Sequence, residues 1–313
     1  MILGIDTSNY TTSVAVVSKE QQLLFDKRIV LNVPEGKRGL QQSEAVFQHL
    51  KNLPDLLEKV LDKYRASITG ICYSMKPRPI EGSYMPVFKV GEGYARAVAK
   101  ALGVPLYPST HQEGHLAAGL WSVGFMPKGP FLAMHLSGGT TDLLRVEPYK
   151  GGFRIELLGS SGDLHAGQFV DRIGVMLGLK FPAGPALEEL ARKQKLGDGI
   201  RLPSSVEGYM VSFSGPCSAA EREIRAGVEP EKVAFAVFRC IANSVEKVLL
   251  KAIEKTGLKE VLFVGGVAAN SFIKERLIRR LEHPAVGARL YFAKPHYSRD
   301  NAVGIAVIKF LLR

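Results

Sequence analysis

The chain has 313 residues, of which 46% are hydrophobic and 23% charged, and this balance excludes a disordered tail or a fibrous, low-complexity polymer. That length fits two domains or one large one, with core enough to fold without a disulfide or metal staple. Lys+Arg 41 against Asp+Glu 30 leaves a net charge of +11, which points to a polyanionic partner, nucleic acid before membrane, and equally to simple solubility. Cys72, Cys217 and Cys240 are odd in number, far apart and form no CxxC pair, the usage of a reducing compartment. The opening MILGIDTS has no signal-peptide core, and no run of 18 apolar residues occurs. A cytoplasmic, membrane-free protein is expected.

In chain order, residues 1–17 predict a β-hairpin with a small, hydroxyl-rich tip. A third strand near 26–32, a polar loop at 33–39 and a helix at 41–64 follow, the helix marked by Val46, Leu50, Leu53, Leu57, Val60 and Leu61. Strands are expected at 68–74 and 104–107, and helices at 91–102 and 111–121. Residues 124–130 read as a linker. Residues 131–146 repeat the hairpin pattern of the N-terminus, which predicts two similarly built halves. Helices are expected at 166–177, 186–195, 230–256 and 271–281, a strand at 261–264, and a last helix at 301–312 that could pack back on the first half. Alternating strands and helices predict an α/β fold.

Four segments could carry chemistry. His111-Gln-Glu-Gly-His115 places two imidazoles on one helix face, where they can grip one ion. Glu113 is not at the position of a zinc-peptidase base, and an isolated HxxxH is more often a pair of ordinary surface histidines. A third ligand is needed, with Asp300 and His296 as candidates; a His, His, Asp set suits zinc or iron. Leu136-Ser-Gly-Gly-Thr-Thr-Asp142 could cradle a phosphate through turn amides and hydroxyls, together with the first hairpin tip at 6–12. Phe263-Val-Gly-Gly-Val-Ala-Ala-Asn270 runs from strand to helix and could underlie a flat ligand, although Asn270 is also good helix-cap chemistry. Asp171, ten residues before the Phe181-Pro-Ala-Gly-Pro185 turn, could bind a ribose or amine, or be a solvated helix acid.

Other patterns are absent. No Ser-His-Asp order stands out, and Gly36-Lys-Arg-Gly39 is not a Walker A loop. Cationic segments at Lys27–Arg28, Lys37–Arg38, Lys76–Arg78 and Arg276–Arg280 could follow a nucleic-acid backbone, or simply be solvated surface.

Taken in order, GIDTS, HxxxH, LSGGTTD, DRxxxxLGL, FPxGP, SFSG, GGVAAN and RDNAVG make the chain resemble the TsaD family, threonylcarbamoyladenosine synthases formerly called O-sialoglycoprotein endopeptidases. The likeness covers nearly the whole chain. It implies an actin-like ATPase fold, two ribonuclease-H-like lobes around a nucleotide cleft, with residues 1–128 and 301–313 in the first lobe and 129–300 in the second. It also implies transfer of a threonylcarbamoyl group from threonylcarbamoyl-adenylate to the adenosine beside the tRNA anticodon. By matching motifs, His111, His115 and Asp300 hold a divalent metal, iron or zinc. Leu136, Ser137, Gly138, Gly139, Thr140, Asp171, Gly184, Gly265, Gly266 and Asn270 line a site for ATP, AMP or the adenylate, and Ser8, Asn9 and Thr11 form a phosphate loop. Implied partners are tRNA and related actin-fold and ATPase subunits, with room for a homo-oligomer.

The chain departs from the family pattern at defined places, as a divergent paralogue would. TSCDET is Thr7-Ser8-Asn9-Tyr10-Thr11-Thr12, so two acids become Tyr10 and Thr11. SGGHT is Ser137-Gly138-Gly139-Thr140-Thr141, GEAFDK is Gly167-Gln168-Phe169-Val170-Asp171-Arg172, and SGLKT is Ser214-Gly215-Pro216-Cys217-Ser218. These changes leave a changed acceptor, or a non-catalytic scaffold role, as alternatives. Peptidase activity ranks below both, since no proteolytic nucleophile is evident.

Overall fold

The computed structural model describes residues 1–8, 10–34, 39–194 and 199–311. Asn9, Gly36, Lys37, Arg38 and Lys195 lie outside the described residues.

The N-terminal hairpin forms from β1 (Ile2–Thr7) and β2 (Thr11–Val17), antiparallel, with Thr7 opposite Thr12 at its tip. Both strands are buried on both faces, which is why they read as apolar runs rather than an alternation. β3 (Leu23–Val30) extends the hairpin side. After α1 (Gln42–Tyr64), β4 (Gly70–Ser74) pairs parallel to β1, and after α2 (Val87–Leu102), β5 (Leu106–Ser109) pairs parallel to β4. The order is β3-β2-β1-β4-β5.

α3 (His111–Val123) starts at a capping box: Thr110 Oγ1 accepts from Glu113 N–H, and the Glu113 carboxylate accepts from Thr110 N–H. Glu113 is therefore committed to starting the helix. The second sheet begins with β6 (Phe131–Leu136), β7 (Thr141–Tyr149) and β8 (Gly152–Ser160). α4 (Ala166–Met176), α5 (Gly184–Lys193), a two-stranded ribbon of β9 (Ser205–Glu207) and β10 (Met210–Ser212), α6 (Ser214–Arg225) and α7 (Pro230–Thr256) follow. β11 (Glu260–Val264), α8 (Ser271–Leu281) and β12 (Arg289–Phe292) complete the sheet in the order β12-β11-β6-β7-β8. Read from its far edge, this is the first sheet strand for strand, so the hairpin repeat seen in the sequence extends to all five strands.

The chain ends in α9 (Pro295–Ser298) and α10 (Val303–Leu311). α3 and α10 lie between the two sheets, in one apolar cluster with Ile2 and Ala15 of the first and Phe131, Leu144 and Leu262 of the second. Contact there is backbone to backbone: a Cβ on Gly304 would lie 1.8 Å from Gly114 O, and one on Gly4 would lie 2.5 Å from Ala302 O.

Several boundaries differ from the sequence expectation. α2 begins at Val87 rather than 91, β3 is Leu23–Val30, β5 is Leu106–Ser109, and α5 is Gly184–Lys193. α10 begins at Val303 because Asn301 is spent as its cap, its Oδ1 accepting from Gly304 N–H. β8, β9, β10, α6, β12 and α9 have no counterpart in the sequence expectation. Among the described residues no helix is long and apolar enough to cross a membrane.

Candidate metal and nucleotide site

The β1–β2 tip, the first turn of α3 and the α9–α10 junction converge where the lobes meet. One donor atom each from His111, His115 and Asp300 lie within 4.8 Å of one another. The Nε2 atoms of the two histidines are 3.1 Å apart, and Asp300 Oδ1 lies 3.5 Å from His111 Nε2 and 3.3 Å from His115 Nε2. Two imidazoles one helical turn apart and one carboxylate on a common point make a three-ligand set with open positions. His296, the other third-ligand candidate, lies elsewhere: its ring is largely exposed and 3.0 Å from Asp26.

The surrounding side chains aim these ligands. Fully buried Asp6 accepts from His111 Nδ1 at 3.1 Å and from Ser74 Oγ. This leaves His111 Nε2 facing the other two groups. Ser8 Oγ donates to Asp300 Oδ2 at 2.7 Å, so Oδ1 is the oxygen that faces the two histidines. Burial alone would lower the His111 ring; the Asp6 and Asp300 carboxylates outweigh it and push the ring up to about 10. Burial and the neighbouring His111 lower His115. Burial would raise Asp300, but its hydrogen bonds and charge contacts with the two histidines hold it well below the usual carboxylate range.

Sequence reasoning missed His135, which lies at the end of β6, 3% exposed, with its ring centroid 4.6 Å from that of His115. Neither of its nitrogens has a partner, and Asp6 Oδ2, His115 Nδ1 and Asp142 Oδ1 are orphaned as well. Buried polar atoms are rarely left unpaired, so this cluster fits a bound ion or ligand. Burial, then the adjacent histidines, keep His135 well below the ordinary imidazole range. The lobes are tied across the same region by Arg78, 3.3 Å from buried Asp142, and by Gln112, which donates to Asp142 at 3.2 Å.

Beside this centre is a cavity of about 150 Å³ lined by Tyr10, Gly138, Gln168, Asp171, Arg172 and Phe181. Gly138 and Gly139 have open space where a Cβ would stand, so a ligand can reach their backbone. Ser137 N–H donates to Thr140 O at 2.8 Å, closing that turn, and Ser137 O accepts from Gly167 N–H, which docks it on α4. Leu136 is core, its carbonyl pressed against Gly265, which has φ 96°. Asp171 accepts from Ala183 N–H at 2.8 Å, fixing the turn into α5, where Gly184 is the first residue. Burial raises its pKa, with that bond opposing.

Of the residues expected to line the nucleotide site, Gly138 and Asp171 line this cavity, whereas Leu136, Ser137, Gly139, Thr140, Gly184, Gly265, Gly266 and Asn270 are not in its wall. Asn270 Oδ1 caps α8 by accepting from Ile273 N–H at 2.9 Å, the bland alternative noted from sequence. Thr11 is buried in β2, its carbonyl 3.4 Å from Ser8 Oγ, whose proton goes to Asp300.

The departures have physical places. Tyr10 stands in the cavity wall with its ring 6.2 Å from that of Phe181, one from each lobe. Burial, then Asp171 and Asp300, raise its hydroxyl pKa. Cys217, at the position of the family's lysine, is buried core and contributes no cation. The cationic segments are partly consumed: Arg276 and Arg280 both pair with Glu246, Arg28 with Asp26, and Arg78 with Asp142.

The family model for TsaD, described as tRNA N6-adenosine threonylcarbamoyltransferase, matches residues 30–307. The chain belongs to the TsaD family. Proteins named tRNA N6-adenosine threonylcarbamoyltransferase from Thermus thermophilus and Archaeoglobus fulgidus are each 32% identical to it. The first match covers 98% of this chain and 91% of the relative, the second 99% and 90%. TsaD proteins are enzymes, and each match covers about nine-tenths of the relative. Among solved structures, full-length HypF in a phosphate- and nucleotide-bound form superposes with a TM-score of 0.64 at 13% identity, over 99% of this chain and 54% of that one. A ROK-family glucokinase from Streptomyces griseus, solved with glucose and AMPPNP, superposes at 0.54 and 11% identity, over 97% of each chain. At such identities the likeness is one of fold, and the fold is the actin-like ATPase fold.

Proposed function

We propose that this TsaD-family chain transfers a threonylcarbamoyl group from an adenylate donor to the N6 amine of an adenosine in tRNA, with a divalent ion held by His111, His115 and Asp300. The convergence of those three donor atoms within 4.8 Å, beside the cavity at Gly138 and Asp171, carries the reading. When bound, iron or zinc supplies Lewis-acid charge and a template for phosphate or carboxylate oxygens.

The chain's own residues do the rest. Asp6 and Ser8 hold the ligands in the tautomer and orientation that leave their lone pairs free. The open Gly138–Gly139 backbone receives the adenylate, and Asp171 and Gln168 face it from α4. The attacking amine belongs to the substrate, so no protein nucleophile is required. tRNA as the acceptor fits the chain's net charge of +11.

Tyr10 favours a second reading. An aromatic ring stands where relatives of the same pattern carry an acid, which suits a chain that binds donor and ion but serves another acceptor, or a scaffold partner. Mass spectrometry of tRNA nucleosides from cells lacking only this gene separates the two. Loss of threonylcarbamoyladenosine, restored by the wild-type gene and not by His111→Ala, supports the transferase. Unchanged nucleosides, with nucleotide binding retained by the pure protein, support the second.

A further inference from the structure

His49 belongs to none of the motifs that mark the site, and it lies on α1, away from every element that supplies a ligand. Its ring is fully buried and bridges the two sides of the β1–β2 tip. Nε2 is 2.8 Å from Ser8 O, and Nδ1 is 2.8 Å from Thr12 Oγ1. A carbonyl can only accept, so Nε2 carries the proton; the other nitrogen of the neutral ring then accepts from the Thr12 hydroxyl. Burial lowers the pKa of His49, which favours this neutral form. One turn along α1, Asn52 donates to the same Thr12 oxygen at 3.3 Å. The residue that His49 grips by its backbone, Ser8, is the one whose hydroxyl holds Asp300 Oδ2 at 2.7 Å.

We propose that His49 is a positioning residue for the ion site. It fixes the Ser8 backbone so that the Ser8 hydroxyl holds one oxygen of Asp300 and leaves the other facing His111 and His115. The inference rests on the metal reading above, and it predicts that the bond to Ser8, not the bond to Thr12, governs ion affinity.

Two amide side chains separate the bonds. In His49→Gln the amide nitrogen falls near the place of Nε2 and can still donate to Ser8 O. In His49→Asn the shorter amide reaches only the Thr12 side. Co²⁺ affinity of the full chain, by calorimetry and by the visible absorption of the Co²⁺ centre, is measured beside the melting temperature. Removing a group that orients a ligand typically weakens metal binding by about 10–100-fold. His49→Asn is therefore expected to bind Co²⁺ at least about tenfold more weakly, with an altered absorption band, while His49→Gln stays at wild-type affinity and the two variants melt alike. Equal affinity in all three proteins overturns the proposal, as does a loss in both variants that follows their melting temperatures. A wild-type chain that binds no Co²⁺ overturns the metal reading first, and this proposal with it.

Discussion

His111 carries a proton that an incoming cation must displace. Its ring is pushed up to about 10 by Asp6 and Asp300, so below that pH the apo chain is protonated there and the proton competes with the ion. Affinity for Zn²⁺ is expected to rise by about tenfold per pH unit between pH 6 and 9, with one proton released per ion. Calorimetry in buffers of different ionisation enthalpy measures both. Asp6→Asn removes the nearest carboxylate and should flatten the slope. In the apo chain the sign is opposite: a raised imidazole contributes stability in full below its unfolded value, lost as pH rises toward 10. Legibility at this scale followed sequence distance. His111 and His115 were readable because four residues are one helical turn. Asp300 was one of two third-ligand candidates, and only the family resemblance chose it over His296, since nothing local ties it to a helix 189 positions earlier in the chain, a separation given by 300 − 111. Asp6 and His135 are single polar residues within apolar strands, and His49 is one of many polar residues on an amphipathic helix, so no periodicity tells any of them from an ordinary core histidine or strand acid.

α3 and α10 approach backbone to backbone at Gly114 and Gly304. A methyl group on Gly304 would meet Gly114 O at 1.8 Å and Ala118 N at 2.8 Å, so the backbones themselves must part. Overpacking a tight core costs about 1–3 kcal/mol, occasionally more, and this site belongs at the upper end because its neighbours are main chain. Gly304→Ala is expected to lower the melting temperature markedly. It should also weaken Zn²⁺ binding, because α3 carries two ligands and Asp300 lies just before α10; thermal denaturation with and without Zn²⁺ measures both. The long elements were legible: α7 and α8 match their expected bounds, and both hairpins were marked by apolar strands around a polar tip. α6 was hidden because Ser, Gly and Pro at its start imitate a loop. β12 is four residues, too short for a pattern. β8 does alternate, with Phe153, Ile155 and Leu157 against Arg154 and Glu156, and could have been found.

The whole molecule is two copies of one five-stranded plan with helices between them, and its surface carries excess positive charge. Because Arg28, Arg78, Arg276 and Arg280 are engaged in ion pairs, the cations free to meet a phosphate backbone are fewer than the sequence suggests. tRNA binding should still be salt-dependent: the logarithm of affinity is expected to fall against the logarithm of salt with a slope of about −3 or steeper, on the order of 0.9 per phosphate contacted. Filter binding between 50 and 300 mM KCl, roughly the range over which such contacts weaken, tests it. A slope near zero would mean that the excess charge serves solubility alone.

Ser8 and the carboxylate it holds are separated by 292 positions along the chain. Translation must therefore pass residue 300 before the proposed ion site can close, and a stalled or truncated product has only two imidazoles to offer. On the proposed metal reading, ion capture requires that the segments around Ser8 and Asp300 have met, and a chelator should loosen those two segments first, exposing them to protease while the far sheet stays protected.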